Sequence, residues 1–320
     1  MTNNSPERGE TYRRANWLPG SANQQGAIAV AMGSALWGLF WIPLRFLDDR
    51  GVTGLWAVAL VMFALIIPST LLLIQAGKLH TLKSGNTWFI GCSMGLAAVL
   101  YFVGVIVSDV IRVIFLFYLL PIWTTLAARI LYKELITPAR LLIIALALIG
   151  LWLLLGGGNR IPLPSNIGDW CGLLAGVSWG ISLAVIHGKD NVDPIGMVFA
   201  VATTATVMSV GVAMLLVNTA HTELASVPQP ASWMLVVGAA FLFSIIVMFP
   251  SLLGQIWGAQ RVAAPTAALL TMTEIIVATL SAYLLIGTEL NQISMIGALI
   301  ILIAVVIDIA MKFRANSHKP

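Results

Sequence analysis

Charge is what this sequence lacks. Of 320 residues only 9% are charged and 59% are hydrophobic, with a mean hydropathy of +0.95. A soluble protein carries about 25% charged residues. So few charges cannot coat a globule of this size, which excludes a soluble enzyme, a nucleic-acid binder and a disordered chain. Cysteine is scarce too: Cys92 and Cys171 both lie inside apolar runs and offer neither a disulfide framework nor metal-ligand spacing. No glycine-rich loop ends in Gly-Lys-Ser/Thr, so the chain does not hydrolyse ATP. There is no His-Glu-x-x-His element and no Cys/His cluster, so neither a metal nor another cofactor is expected. The net charge of +4 comes from basic residues placed between apolar runs, where they act as topology signals.

What is present is a series of apolar runs. A helix crossing a ~30 Å hydrocarbon core needs about 20 apolar residues, and backbone groups in lipid must pair within their own segment. Ten runs qualify, at 26–47, 54–76, 87–107, 111–131, 139–156, 168–187, 194–218, 231–255, 262–286 and 292–311. The expected fold is all-α and integral to the membrane. Residues 1–25 form a polar tail without the apolar stretch of a cleavable signal peptide, and 312–320 form a second tail. With the N-terminus inside, 13 of the 17 Lys and Arg residues fall on the cytoplasmic side and 4 outside. Basic residues favour the cytoplasmic side, so both termini are expected there, with the chain in the inner (cytoplasmic) membrane. The lipid bilayer is then its main surroundings, and a monomer suffices.

The two halves are similar. Gly33-Ser34-Ala35-Leu36-Trp37-Gly38 in span one resembles Ala175-Gly176-Val177-Ser178-Trp179-Gly180 in span six, 142 positions on. Leu131-Tyr132-Lys133-Glu134-Leu135 after span four resembles Ile286-Gly287-Thr288-Glu289-Leu290 after span nine, 155 positions on. This gives a first repeat at 26–156, a turn-rich connector at 157–167 and a second repeat at 168–311. Five spans is an odd number, so the second repeat enters the membrane inverted. Two inverted five-helix repeats with a site at their interface are a recurrent plan of secondary transporters. An intramembrane enzyme, the competing class, would need a nucleophile and a base at one depth, and no such pair stands out.

These paired motifs resemble the drug/metabolite transporter superfamily, whose ten-helix members carry two such EamA-like repeats. The stretch Arg112-Val113-Ile114-Phe115-Leu116-Phe117-Tyr118-Leu119-Leu120-Pro121-Ile122-Trp123 resembles its aromatic amino-acid exporter branch. The resemblance implies export of aromatic and other neutral amino acids by alternating access. Lipophilic amines or other small metabolites are the alternative cargo. The mid-span regions hold no Lys or Arg, which disfavours an anionic or phosphorylated one. In span nine Ile276 stands where span four has Pro121, so the bends of the halves need not be alike.

Candidate cavity residues are Trp37 and Trp179, which are repeat counterparts, the deep Tyr101 and Tyr118, and Ser244, Ser251 and Gln255 on compatible faces of span eight. For each, packing within the bundle competes with contact to cargo. Glu274 in span nine is the clearest intramembrane charge, a functional hint because burial of charge there is costly. It either handles a substrate amine or proton or is hydrogen-bonded within the bundle. Pro43, Pro121 and Pro250 are hinge candidates, because an interior proline removes a hydrogen bond and clashes with the preceding turn. The expected ion pairs are Asp308 with Lys312 and Asp109 with Arg112, and His187 is expected to be solvated. Gly168, Gly172, Gly176 and Gly180 form a small-residue stripe for close helix packing.

Overall fold

The computed structural model describes residues 21–157, 163–187, 192–217, 226–289 and 291–317, with side chains to residue 311. Most of the connector's Gly-Asn-Arg-Ile-Pro stretch, the first 20 residues and the side chain of Lys312 lie outside the described residues. Every regular element is helical among those residues. Among the described residues nine segments are long and apolar enough to cross a membrane, and a shorter apolar helix, Pro138–Leu154, adds a tenth candidate. Its 17 residues rise roughly 26 Å, slightly under a typical hydrocarbon core.

The helices are α1 Ala22–Trp37, α2 Trp41–Asp48, α3 Gly54–Gln75, α4 Gly85–Val107, α5 Val110–Phe117, α6 Leu120–Tyr132, α7 Pro138–Leu154, α8 Ile167–His187 and α9 Pro194–Leu216. They continue with α10 Trp233–Phe243, α11 Phe249–Ala259, α12 Ala264–Leu270, α13 Thr273–Ile286 and α14 Gln292–Ser317. Local sequence sets many of the starts. Ser21 and Gln24 close a capping box on α1, and Asp109, Thr137, Asp193 and Ser232 cap α5, α7, α9 and α10 through their side-chain oxygens.

Three of the apolar runs are interrupted and a fourth is distorted. Span one breaks between α1 and α2, span four between α5 and α6, and span nine between α12 and α13. Span eight stays continuous but passes through a π-helical turn, Ser244–Met248, between α10 and α11. Proline accounts for three of these. Its ring collides with the carbonyl four residues earlier, which is Leu39 for Pro43, Phe117 for Pro121 and Ile246 for Pro250. Each of those residues lies in or beside the interruption. Span nine breaks at Thr271–Met272 although Pro265, its one proline, stands at the start of α12, so spans four and nine are both interrupted although Ile276 replaces Pro121.

The repeat register also shifts by one residue. Lys133 (φ 57°) and Gly287 (φ 69°) both occupy the left-handed position that ends a helix, α6 and α13, and they lie 154 apart rather than 155. Glycine is the residue that geometry favours, and Lys133 is the sole described non-glycine with positive φ.

Packing follows a regular plan. α4 packs on α8 and α9, α1 on α11, α12 and α13, α6 on α8 and α12, α3 on α9, and α7 on α14. Exchanging each span for the one five places away turns the three–six contact into eight–one and the four–six contact into nine–one. The pairs two–seven, four–nine and five–ten map onto themselves.

Candidate functional site

The broken spans bring polar and aromatic side chains to one place. α1 ends at Trp37, and the chain turns through Gly38 before α2. A Cβ on Gly38 would overlap the carbonyl oxygen of Glu274, so this glycine lets span one lie directly on the first turn of α13. Thr273 Oγ1 donates to the Ala31 carbonyl (3.1 Å) and Trp41 Nε1 donates to Ser281 Oγ (3.0 Å), fixing α13 against both parts of span one. On the other side the glycine stripe of α8 meets span four: Gly172 faces Val113, Gly176 the Phe117 carbonyl and Gly180 Thr124. The stripe therefore packs against both pieces of the broken span.

Between these contacts lies a cavity lined by Trp37, Ala97, Ala98, Tyr101, Phe102, Phe117, Trp179 and Glu274. Trp37 and Trp179 face each other with ring centroids 5.8 Å apart and planes at 58°. Tyr101 and Phe117 form a second wall, 5.0 Å apart at 60°. The cavity volume is about 20 Å³, on the order of one water, so an organic molecule needs more room than these side chains leave.

Glu274 sits in the first turn of α13, and no ion pair reaches it among the described residues. The Tyr118 hydroxyl approaches its carboxyl without closing a hydrogen bond of normal geometry, and that hydroxyl is buried without another partner. Tyr118 belongs to the break of span four, where the helix between α5 and α6 is lost. The three interruptions, in spans one, four and nine, therefore supply Trp37, Phe117, Tyr118 and Glu274.

Of the residues singled out in the sequence, Trp37, Tyr101, Trp179 and Glu274 line the cavity and Tyr118 adjoins it. The three span-eight candidates lie outside the lining. Ser244 Oγ donates to the Val61 carbonyl (2.8 Å), Ser251 Oγ donates to the Gly33 carbonyl (2.7 Å), and Gln255 Nε2 donates to Ser251 Oγ (3.3 Å). All three are buried and tie span eight to spans one and two.

Of the expected local pairs, Asp109 with Arg112 is corrected. Asp308 pairs with Arg140 and accepts from Thr266, while the side chain of Lys312, its expected partner, lies outside the described residues. Asp109 caps α5 by accepting from the Arg112 backbone N–H, while the Arg112 guanidinium reaches Asp169. His187 Nε2 lies 4.0 Å from Glu134 and its Nδ1 is buried without a partner.

Sequence reasoning missed Phe102, Ala97, Ala98 and Phe117 as lining. A signal existed for Phe117, which stands four residues before Pro121, where a proline forces the chain open.

No curated protein matches the chain in sequence. Among solved structures 29 chains match, and one, a crystal structure of a protein, has a TM-score of 0.66 at 19% identity, covering 89% of this chain and 96% of that one. That likeness shows a shared fold. Residues 166–309, which run from the start of span six through most of span ten, match the model of the EamA-like transporter family, and this portion of the chain carries that family's sequence pattern.

Proposed function

We propose that the protein is a secondary transporter of small amine-bearing organic molecules, working by alternating access between two inverted five-span repeats. The observation that carries this reading is the cavity where broken spans one, four and nine meet α4 and α8. Unwound segments within a bundle are tolerated where they line a site or are buried in protein. The five-place exchange of packing partners supports the two-repeat plan, and the EamA-like match supports transport as the activity. On this reading the short helix α7 is the fifth of ten spans.

Two cargo classes share the features the cavity offers. Neutral amino acids, which the family resemblance implies, and lipophilic amines both present an ammonium group to Glu274 and an apolar body to the aromatic walls. Outward movement is the direction the resemblance implies. The test is counterflow in proteoliposomes, preloaded or empty, with a panel of amino acids and amines and with or without a pH gradient. Accumulation that requires the protein and saturates supports the proposal, and no protein-dependent flux for any member rejects it.

A further inference from the structure

The chemistry of the cavity wall separates those two cargo classes. One lining residue, Glu274, can carry charge, and it is acidic. The remaining lining is four aromatic rings beside the two alanines and Trp37, with no Lys, Arg, His, Asn or Gln among them. Four of the described cations are engaged elsewhere: Arg112 with Asp169, Arg140 with Asp308, Lys78 with Asp193, and Arg129 with the carbonyls of Lys133 and Glu134. A zwitterion in this cavity would find a partner for its ammonium group but no countercharge for its carboxylate. A buried charge without a partner is strongly disfavoured.

A monocation meets the opposite situation. Its charge is opposed by a carboxylate that has no ion-pair partner among the described residues, and it sits within reach of several π faces. Cations are attracted to aromatic faces within about 6 Å of the ring centroid, tryptophan most strongly. The Trp37–Trp179 and Tyr101–Phe117 pairs, with centroids 5.8 and 5.0 Å apart, present such faces to the cavity. The buried, unpartnered Tyr118 hydroxyl adds a polar atom on the Glu274 side.

We infer that the cavity takes small organic monocations with an aromatic or aliphatic body, ammonium against Glu274 and between the rings of Trp37, Trp179, Tyr101 and Phe117, in preference to zwitterions. This rests on the transporter reading of the same cavity and narrows its cargo.

The test compares three probes of similar shape on the purified full chain by titration calorimetry: benzyltrimethylammonium, phenethylamine and phenylalanine. Both cations should bind at least ten-fold more tightly than phenylalanine. Glu274→Gln should weaken both cations at least ten-fold, while Glu274→Asp, which keeps the charge, should recover part of the loss. Comparable affinity of phenylalanine and phenethylamine in the unaltered protein would overturn the inference without requiring any variant to fold. So would cation binding that survives Glu274→Gln. Counterflow of the same probes separates the two claims: binding without flux would reject the transporter reading and leave the cation site standing, whereas flux of phenylalanine above that of phenethylamine would reject the cation site alone.

Discussion

Arg140 Nη1 lies 2.5 Å from Asp308 Oδ1, joining the start of α7 to α14, while the other oxygen of Asp308 accepts from Thr266 Oγ1 at 2.6 Å. Asp308 is almost wholly buried and Arg140 largely so, at 3% and 15% side-chain exposure. One carboxylate therefore links span five, span ten and the short helix α12 of span nine.

Removing one partner of a buried pair leaves an uncompensated charge, at roughly 3–5 kcal/mol, whereas replacing both by apolar groups is often close to neutral. Arg140→Ala is accordingly expected to destabilise by about 3 kcal/mol, and Arg140→Met with Asp308→Leu by much less. Thermal unfolding in detergent compares them, and a double variant as unstable as the single one would contradict the account.

The Asp169 cluster orders its variants differently. Asp169 is fully buried and accepts from Ser108 Oγ, from the Ser165 backbone N–H and hydroxyl, and from Arg112, tying the turn between α4 and α5 to the start of α8. Arg112 is 34% exposed, so solvent screens its part of the interaction. Arg112→Ala should cost about 1 kcal/mol or less. Asp169→Ala should cost more, about 1–3 kcal/mol, since it removes the one buried acceptor that Ser108, Ser165 and Arg112 share. Melting temperatures in the reverse order would show that the charge pair dominates the cluster instead.

Gly176 and Gly211 provide a matched contrast. A Cβ at Gly176 would overlap the Phe117 carbonyl oxygen, while one at Gly211 in α9 would meet nothing within 4 Å. Gly176→Ala should destabilise by ~1–3 kcal/mol, as overpacking does. Gly211→Ala should be neutral or stabilise by up to about 1 kcal/mol through helix propensity. Equal unfolding temperatures for the two variants would remove close approach as the reason for the α8 stripe.

Membrane orientation is tested separately. The 13-to-4 distribution of basic residues predicts that both termini are cytoplasmic. A reporter joined after Lys319 should be active only as a cytoplasmic reporter. Activity of a periplasmic reporter there would undo the even span count and the inverted repeats together.

The apolar runs were legible because a membrane helix needs no amphipathic pattern, only length and hydropathy, and every observed span falls within a few residues of its run. Trp37 and Trp179 were legible because each stands in a Trp-Gly pair that follows small residues. The break in span nine was not, since no proline stands at Thr271–Met272 or four residues after them. Ser244, Ser251 and Gln255 show the limit of helical spacing: it places residues on one face but does not say whether that face meets a cavity or a neighbour's carbonyl. Ion-pair partners were hidden for a related reason. Asp308 and Arg140 are 168 residues apart, so nothing local points from one to the other.

Trp179 tests whether the aromatic wall touches cargo. It is buried on α8, lines the cavity and faces Trp37. If its indole covers about 50 Å² of an apolar cargo, then at ~25 cal/mol per Å² the contact contributes roughly 1.3 kcal/mol, close to a ten-fold change in affinity. Trp179→Ala should therefore lower transport of phenethylamine about ten-fold relative to ethylamine, and of phenylalanine relative to alanine if amino acids are carried. Trp179→Phe, which keeps an aromatic face, should lie between the two. A packing defect acts otherwise: it lowers every cargo in proportion to the amount of folded protein. Flux is measured for large and small cargo on the same preparation and normalised to folded protein. Losses equal for large and small cargo, and matched by a drop in melting temperature, would make Trp179 a structural residue and take away one wall of the proposed site.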